Sequence, residues 1–334
     1  MKTASVYLEE MFKVKGPGIV PGREELVMHY ERPALEQKIM MLTGTQEEAE
    51  NLAYVLGIMD SKDWSYEEAR QRLLDSVQEV ENIMARIMVR PFEYRWIAFH
   101  EALVESPQTG VMKHLLQDDN RALIAGITKD GRPAVFFSES IGTLDALTAE
   151  TWYFPYNILQ EGGTTSNINE ERMKLLAAMG LDSQEKVIFY IYGMAYGGGL
   201  KPDGSRIILP LLQDQILVEK VIELGERLLC IHNLEEHCQI SRKVKFFGDG
   251  KRAVVSPKYE EEEKALWINE SQWFQPVTPE VWKYRIGDYQ VLKELVRSRE
   301  GQKLDPYHFV ITITALEGTL ALEKELRALL SGAI

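Results

Sequence analysis

Of the 334 residues, 51 are acidic and 38 basic, a net charge of −13, and 45% are hydrophobic, which predicts about two domains at roughly 150 residues each and a core that needs no staples. The acidic balance argues against a chain that grips nucleic acid by bulk charge, though not against a basic stripe on an acidic body. Two cysteines, Cys230 and Cys238, make no disulfide framework; no apolar run nears the ~20 residues of a membrane span and no apolar signal core opens the chain, so a soluble cytoplasmic protein is expected.

In chain order, the Gly/Pro punctuation of residues 16–22 predicts a loop, and 25–30 a short strand. Leu35, Ile39 and Leu42 repeat at helical spacing. Thr45 before Gln46-Glu47-Glu48 marks the N-cap of the next helix. Ser65 with Glu68 forms a capping-box pattern, and Ala69, Leu73, Val77, Val80, Ile83, Met84 and Ile87 extend that helix over about 24 residues. Residues 95–99, 122–127 and 134–137 read as strands, the last two joined by the Asp130-Gly131 turn. Residues 151–156 are aromatic and β-prone, and 160–169 form a loop and a possible internal boundary.

Helices return at 170–179 and 184–196. A flexible Gly-rich loop (197–206) and a strong helix (214–234) follow. Residues 243–247 and 252–255 read as a hairpin about a Gly-Asp-Gly turn. A strand is possible at 266–268, and 289–299 and 306–330 read as helices. The fold class is therefore α+β: a helical N-terminal coupler over residues 1–90, then a β-rich centre with hairpins and a helical C-terminal region over 91–334.

The common catalytic signatures are missing. The sequence has no G-x-x-x-x-G-K-[ST] loop, no G-x-S-x-G elbow, no H-E-x-x-H, and no Pro-Pro pair of the kind an amino-methyltransferase uses to hold its target amine. Phe246-Phe247-Gly248-Asp249-Gly250 imitates a cofactor turn, but a strand rather than a helix follows it. Cys230-x-His232-x4-His237-Cys238 is dense in zinc-ligand types, yet lacks paired knuckle spacing. Pro202-Asp203 with Glu262-Glu263-Lys264 matches nuclease letters only, across two distant loops. No metal and no cofactor is expected.

Basic residues are locally concentrated despite the acidic total. Arg242, Lys243, Lys245, Lys251 and Arg252 lie on the expected second hairpin, and Lys283 and Arg285 follow. Lys201 and Arg206 sit in the Gly-rich loop, Lys129 and Arg132 in a hairpin tip, and Arg23 near the first loop. Loops and hairpins carrying such side chains suit groove readout, with charge for phosphates and forks for base edges.

Val281-Trp282-Lys283-Tyr284-Arg285-Ile286-Gly287-Asp288-Tyr289-Gln290-Val291-Leu292-Lys293, followed by Arg297-Ser298-Arg299-Glu300-Gly301-Gln302-Lys303-Leu304, resembles a known pattern. It is similar to the C-terminal specificity region of single-chain type ISP restriction–modification enzymes and related adenine-specific DNA methyltransferases. Arg90-Pro91-Phe92-Glu93-Tyr94-Arg95-Trp96, Val111-Met112-Lys113-His114-Leu115 and Gly18-Ile19-Val20-Pro21-Gly22-Arg23 resemble further blocks of that region, in order, over nearly the whole chain. Asp288 stands where the pattern has a second Gly.

The resemblance implies sequence-specific recognition of double-stranded DNA with no catalysis in this chain, beside a methyltransferase or nuclease module in cis or in trans. It casts Phe92, Trp96, Trp282, Tyr284 and Tyr289 as core or platform aromatics and Gly287 as a backbone device. Arg90 and Arg95 become ion-pair partners or phosphate contacts. Three alternatives stay open: a fragment of a bifunctional adenine methyltransferase–endonuclease, an acidic protein-docking module, and a zinc module.

Overall fold

The computed structural model describes residues 4–116, 119–235 and 243–332. Its architecture is α+β, as expected. One sheet carries Gly16–Pro17, Trp152–Pro155, Ala122–Ile127 and Pro133–Ser138 in that spatial order, all antiparallel. The helices Gln184–Tyr196, Gln215–His232 and Pro306–Leu330 form a layer that packs against it. The first two helices nearly touch. A Cβ on Gly225 would stand 1.9 Å from the Phe189 carbonyl oxygen, so only glycine permits the crossing.

A second sheet runs Met28–His29, Glu93–Ala98, Met84–Arg90, Ile141–Gly142, with the last pair parallel. The N-terminal helices Arg32–Thr43, Gln46–Leu56 and Tyr66–Ser76 lie near it. Ala4–Tyr7 pairs with Arg206–Leu211, which pairs in turn with Lys201–Asp203. A fourth sheet has the order Lys245–Phe247, Trp273–Gln275, Ala265–Trp267, Lys258–Glu260. Phe274 stacks on Phe309 at 5.4 Å and ties this sheet to the C-terminal helix. No helix among the described residues is long and apolar enough to cross a membrane.

Several sequence expectations need correction. The strand expected at 25–30 is a helical turn, Glu24–Val27, followed by Met28–His29, because Leu26 and Val27 bury by turning back onto the Arg23 carbonyl. The long helix from Ser65 stops at Ser76. Val77 is extended, and Ile87, Met88 and Val89 are buried in the strand Met84–Arg90. Met84 and Ile87 satisfied a helical period by coincidence, and pairing with Glu93–Ala98 decided the outcome.

The hairpin expected over 243–255 does not form. Lys245–Phe247 pairs with Trp273–Gln275 instead, while the Gln272 side chain accepts the Arg252 N–H and Ala253 and Val254 bridge to Lys303 and Glu300. The loop expected at 160–169 contains a hairpin, Asn157–Gln160 with Gly163–Ser166. The Gly-rich loop 197–206 likewise ends in the paired strand Lys201–Asp203. Cys230 is disulfide-bonded.

Thr45 is the N-cap the sequence marks. Its hydroxyl accepts from the Glu48 N–H, and the Glu48 carboxylate accepts from the Thr45 N–H at 2.8 Å. Thr45→Ala is expected to cost about 1 kcal/mol in urea unfolding. Ser65 makes no such bond; the Tyr66 N–H donates to Asp60 instead.

Candidate nucleic-acid interface

Three segments far apart in sequence meet in one cleft of about 580 Å³. The hairpin tip brings Thr128, Gly131 and Arg132. The chain after the helix Gln184–Tyr196 brings Gly198, Leu200 and Pro202, next to Lys201. The Trp282 motif brings Lys283, Tyr284, Arg285, Ile286 and Gly287. Sequence reasoning missed Glu280, Glu323 and Arg327, which also line it. On a helix, Glu323 and Arg327 read as an ordinary i,i+4 surface pair, so nothing in the sequence set them apart.

Gly287 builds one wall. Its φ is +58°, and a Cβ there would lie 2.0 Å from the Leu147 carbonyl oxygen. The tight turn delivers Asp288, whose Oδ1 accepts the Lys129 N–H at 2.9 Å. The carboxylate at the departure from the family pattern thus clamps the hairpin tip to the Trp282 motif. Its Oδ2 is shut from water with no donor. Arg285 reaches back to the Asp288 carbonyl oxygen.

Charge in the cleft is mixed. Arg132 pairs with Asp130 at 2.6 Å, and Lys283 with Glu261 at 3.1 Å, both at exposed positions. Glu323 accepts from the Tyr284 hydroxyl at 2.6 Å, and burial raises its pKa above the usual carboxylate range. Guanidinium and ammonium groups at the rim suit phosphates, and carboxylates inside can accept from exocyclic amines of bases.

The aromatic and arginine motif residues are packed or paired within the fold. Glu93, 1% exposed, accepts from Arg90 at 3.0 Å, Arg95 at 2.9 Å and the Tyr30 hydroxyl at 2.8 Å. Arg299 stacks over Tyr30 at 3.6 Å, and Arg90 lies over Tyr289 at 5.2 Å. Phe92 is buried at φ +65° against Phe136 and His232. Trp96 lies under Arg32, and Trp282 stacks on Tyr259 at 4.7 Å.

The remaining cations divide into held and open. Arg23 stacks on Trp64 at 3.6 Å. Arg206 is bound by Glu9 and Glu10 and lies 3.3 Å over Tyr7. Lys129, Lys201, Lys243, Lys245, Lys251 and Arg252 are exposed and ion-pair with no described residue. Arg242 lies outside the described residues. In the zinc-like cluster, His232 is buried between Tyr192 and Thr319 and Cys230 is in its disulfide; His237 and Cys238 lie outside the described residues.

Residues 10–314 match the Type ISP C-terminal specificity domain. The chain belongs to that family. Three solved structures are similar to this specificity domain over nearly its whole length. A nuclease-deletion mutant of the Type ISP restriction-modification enzyme LlaGI in complex with a DNA substrate mimic has a TM-score of 0.64 at 16% identity, over 95% of this chain and 28% of that one. A DrdV–DNA complex gives 0.69 at 13%, over 95% and 35%. The ATP-dependent Type ISP enzyme LlaBIII bound to DNA gives 0.68 at 16%, over 96% and 24%. The specificity domain therefore spans about a quarter to a third of these structures. No curated protein matches the sequence.

Proposed function

We propose that this chain reads a short sequence of double-stranded DNA for a restriction–modification system and performs no catalytic step itself. The observation that carries this is the convergence of the hairpin tip, the 198–202 segment and the Trp282 motif on one cleft holding Arg132, Lys283, Arg285 and Arg327 around Glu280 and Glu323. Family membership and three structural neighbours described as DNA-bound support it. In this reading Lys129 and Lys201 contact phosphates beside the cleft, and Arg285 and Glu323 face base edges. Arg23 and Arg206, held by their own partners, contribute by orienting loops.

Residues 1–90 act as a coupler to a methyltransferase or nuclease module, in cis or in trans, and residues 91–334 as the recognition part. The setting is the cytoplasm, where such a system meets DNA. The net charge of −13 makes the isolated chain a modest binder, with the catalytic module supplying further grip.

The test is duplex binding by fluorescence anisotropy across a salt series. Affinity should fall linearly in log–log form, from counterion release. The triple change Arg132→Gln, Lys283→Gln, Arg285→Gln should reduce that slope by about 2–3 and weaken binding at every salt concentration. No binding at low salt, alone and with a methyltransferase module present, would overturn the proposal.

A further inference from the structure

The fourth sheet carries a second surface, apart from the cleft. Its registers pair Phe247 with Trp273, Trp273 with Trp267, and Trp267 with Lys258, one row across all four strands. The neighbouring row, Phe246, Phe274, Leu266 and Tyr259, faces inward, with Phe274 and Leu266 fully buried. Side chains alternate along a strand, so the Phe247 row faces outward. Phe247 and Trp273 stack at 5.5 Å and 18°, and Trp273 and Trp267 at 4.5 Å and 29°. Those spacings bracket the ~4.8 Å between strands, so the rings stand on edge as a column.

The column has unlike ends. Lys258 Nζ closes one, 5.9 Å from the Trp267 ring. Phe247 forms the other on an edge strand. It is 38% exposed, and beyond Trp273 no ring of the described residues stacks on it. Lys245, two positions before Phe247 on the same strand, shares its outward face, and Lys243, Lys251 and Arg252 flank the strand in sequence; all four are exposed and without an ion pair among the described residues, although Glu317 acts on Lys243 electrostatically. A protein-binding core is depleted in lysine. Stacked rings with exposed cations on the same stretch suit unpaired nucleotides, whose bases stack and whose phosphates need charge.

We propose that this column is a stacking site for an unpaired nucleobase, extrahelical or in a single strand. The base adds to the open face of Phe247, and Lys245, Lys251 and Arg252 hold the adjoining phosphates. The proposal rests on the reading of the chain as a DNA binder and adds a second, structure-selective site to it.

The experiment titrates the full chain with three probes: an intact duplex, the same duplex carrying a one-nucleotide bulge, and a single-stranded oligothymidylate. Anisotropy gives affinity, and tryptophan emission reports stacking. The bulged and single-stranded probes should quench emission, and Phe247→Ala should weaken both about tenfold while changing the intact duplex less than twofold. Phe247→Tyr should retain binding. Unchanged binding of the two unpaired probes by Phe247→Ala, or equal weakening of all three, overturns the stacking site and leaves the duplex reading standing. Failure of the wild-type chain to bind any probe at low salt, alone and with a methyltransferase module present, overturns both.

Discussion

Glu93→Ala is expected to lower the stability of the chain by about 3–5 kcal/mol in chemical denaturation, among the largest effects of any single substitution here. The carboxylate is almost wholly buried and gathers Arg90, Arg95 and the Tyr30 hydroxyl within 3.0 Å. Burial works against the charges of Arg90 and Arg95, yet Glu93 beside them more than restores those charges, and both pKa values end above the ordinary guanidinium value. Arg299 adds a third half-buried guanidinium through its stacking on Tyr30, and the Nε groups of Arg90 and Arg299 already lack acceptors. Alanine would leave three like charges around a void. Glu93→Gln keeps an acceptor but no charge, so it should cost distinctly less. A Glu93→Ala protein within 1 kcal/mol of wild type would show that the arginines find solvent instead, and the framework role would fall.

That cluster also marks how far the sequence could be read. Arg90-Pro91-Phe92-Glu93-Tyr94-Arg95-Trp96 is visible as a block, but its meaning depends on Tyr30 and Arg299, some 60 and 200 positions away. Elements with a cap and a clean period were legible: the helices Gln184–Tyr196 and Pro306–Leu330 and the strand Ala122–Ile127 lie where the pattern puts them. Met84 and Ile87 misled because a buried strand and a helix face share short apolar spacings, and the choice is made by the partner strand. Gly248-Asp249-Gly250 misled because a turn signal says that the chain bends, not which strand it then pairs with.

The candidate interface was legible in its parts only. Arg132, Lys283 and Arg285 stood out as cations, but a sequence shows the sign of a charge and not its partner. Arg206 looked as open as Lys201, yet Glu9 and Glu10 hold it across nearly 200 positions. Nothing in the sequence set Phe247, Trp273 and Trp267 apart as a group. Only the cross-strand registers put them in one outward row. Long-range pairing decides which of many similar side chains becomes a surface.

The same helical layer predicts a measurable pH dependence. His232, enclosed among Phe92, Phe136, Tyr192 and Tyr196, has its pKa pushed down to about 3 by burial. Its Nδ1 accepts from the Tyr192 hydroxyl at 2.6 Å. Its Nε2 donates to Thr319 Oγ1 at 2.9 Å, since that hydroxyl gives its own proton to the Ala315 carbonyl oxygen. The ring is therefore neutral, and protonation would place a charge in an apolar shell against a donor.

The unfolded chain binds this proton near pH 6.5 and the folded chain near pH 3. Below pH 6.5 the unfolded state is favoured, so the contribution of His232 to stability is complete above that pH and is lost as pH falls toward 3. Between pH 6.5 and 5 the loss is about 2 kcal/mol, at roughly 1.4 kcal/mol per unit. His232→Gln supplies a non-titrating comparison in which every other histidine and carboxylate stays the same. The stability margin of wild type over His232→Gln, from urea melts at pH 7, 6 and 5, should shrink by about that amount. A margin constant across those pH values would mean that the imidazole is reached by water or carries a proton in the fold, and the assignment of His232 as a neutral strut between the helices Gln184–Tyr196 and Pro306–Leu330 would fail.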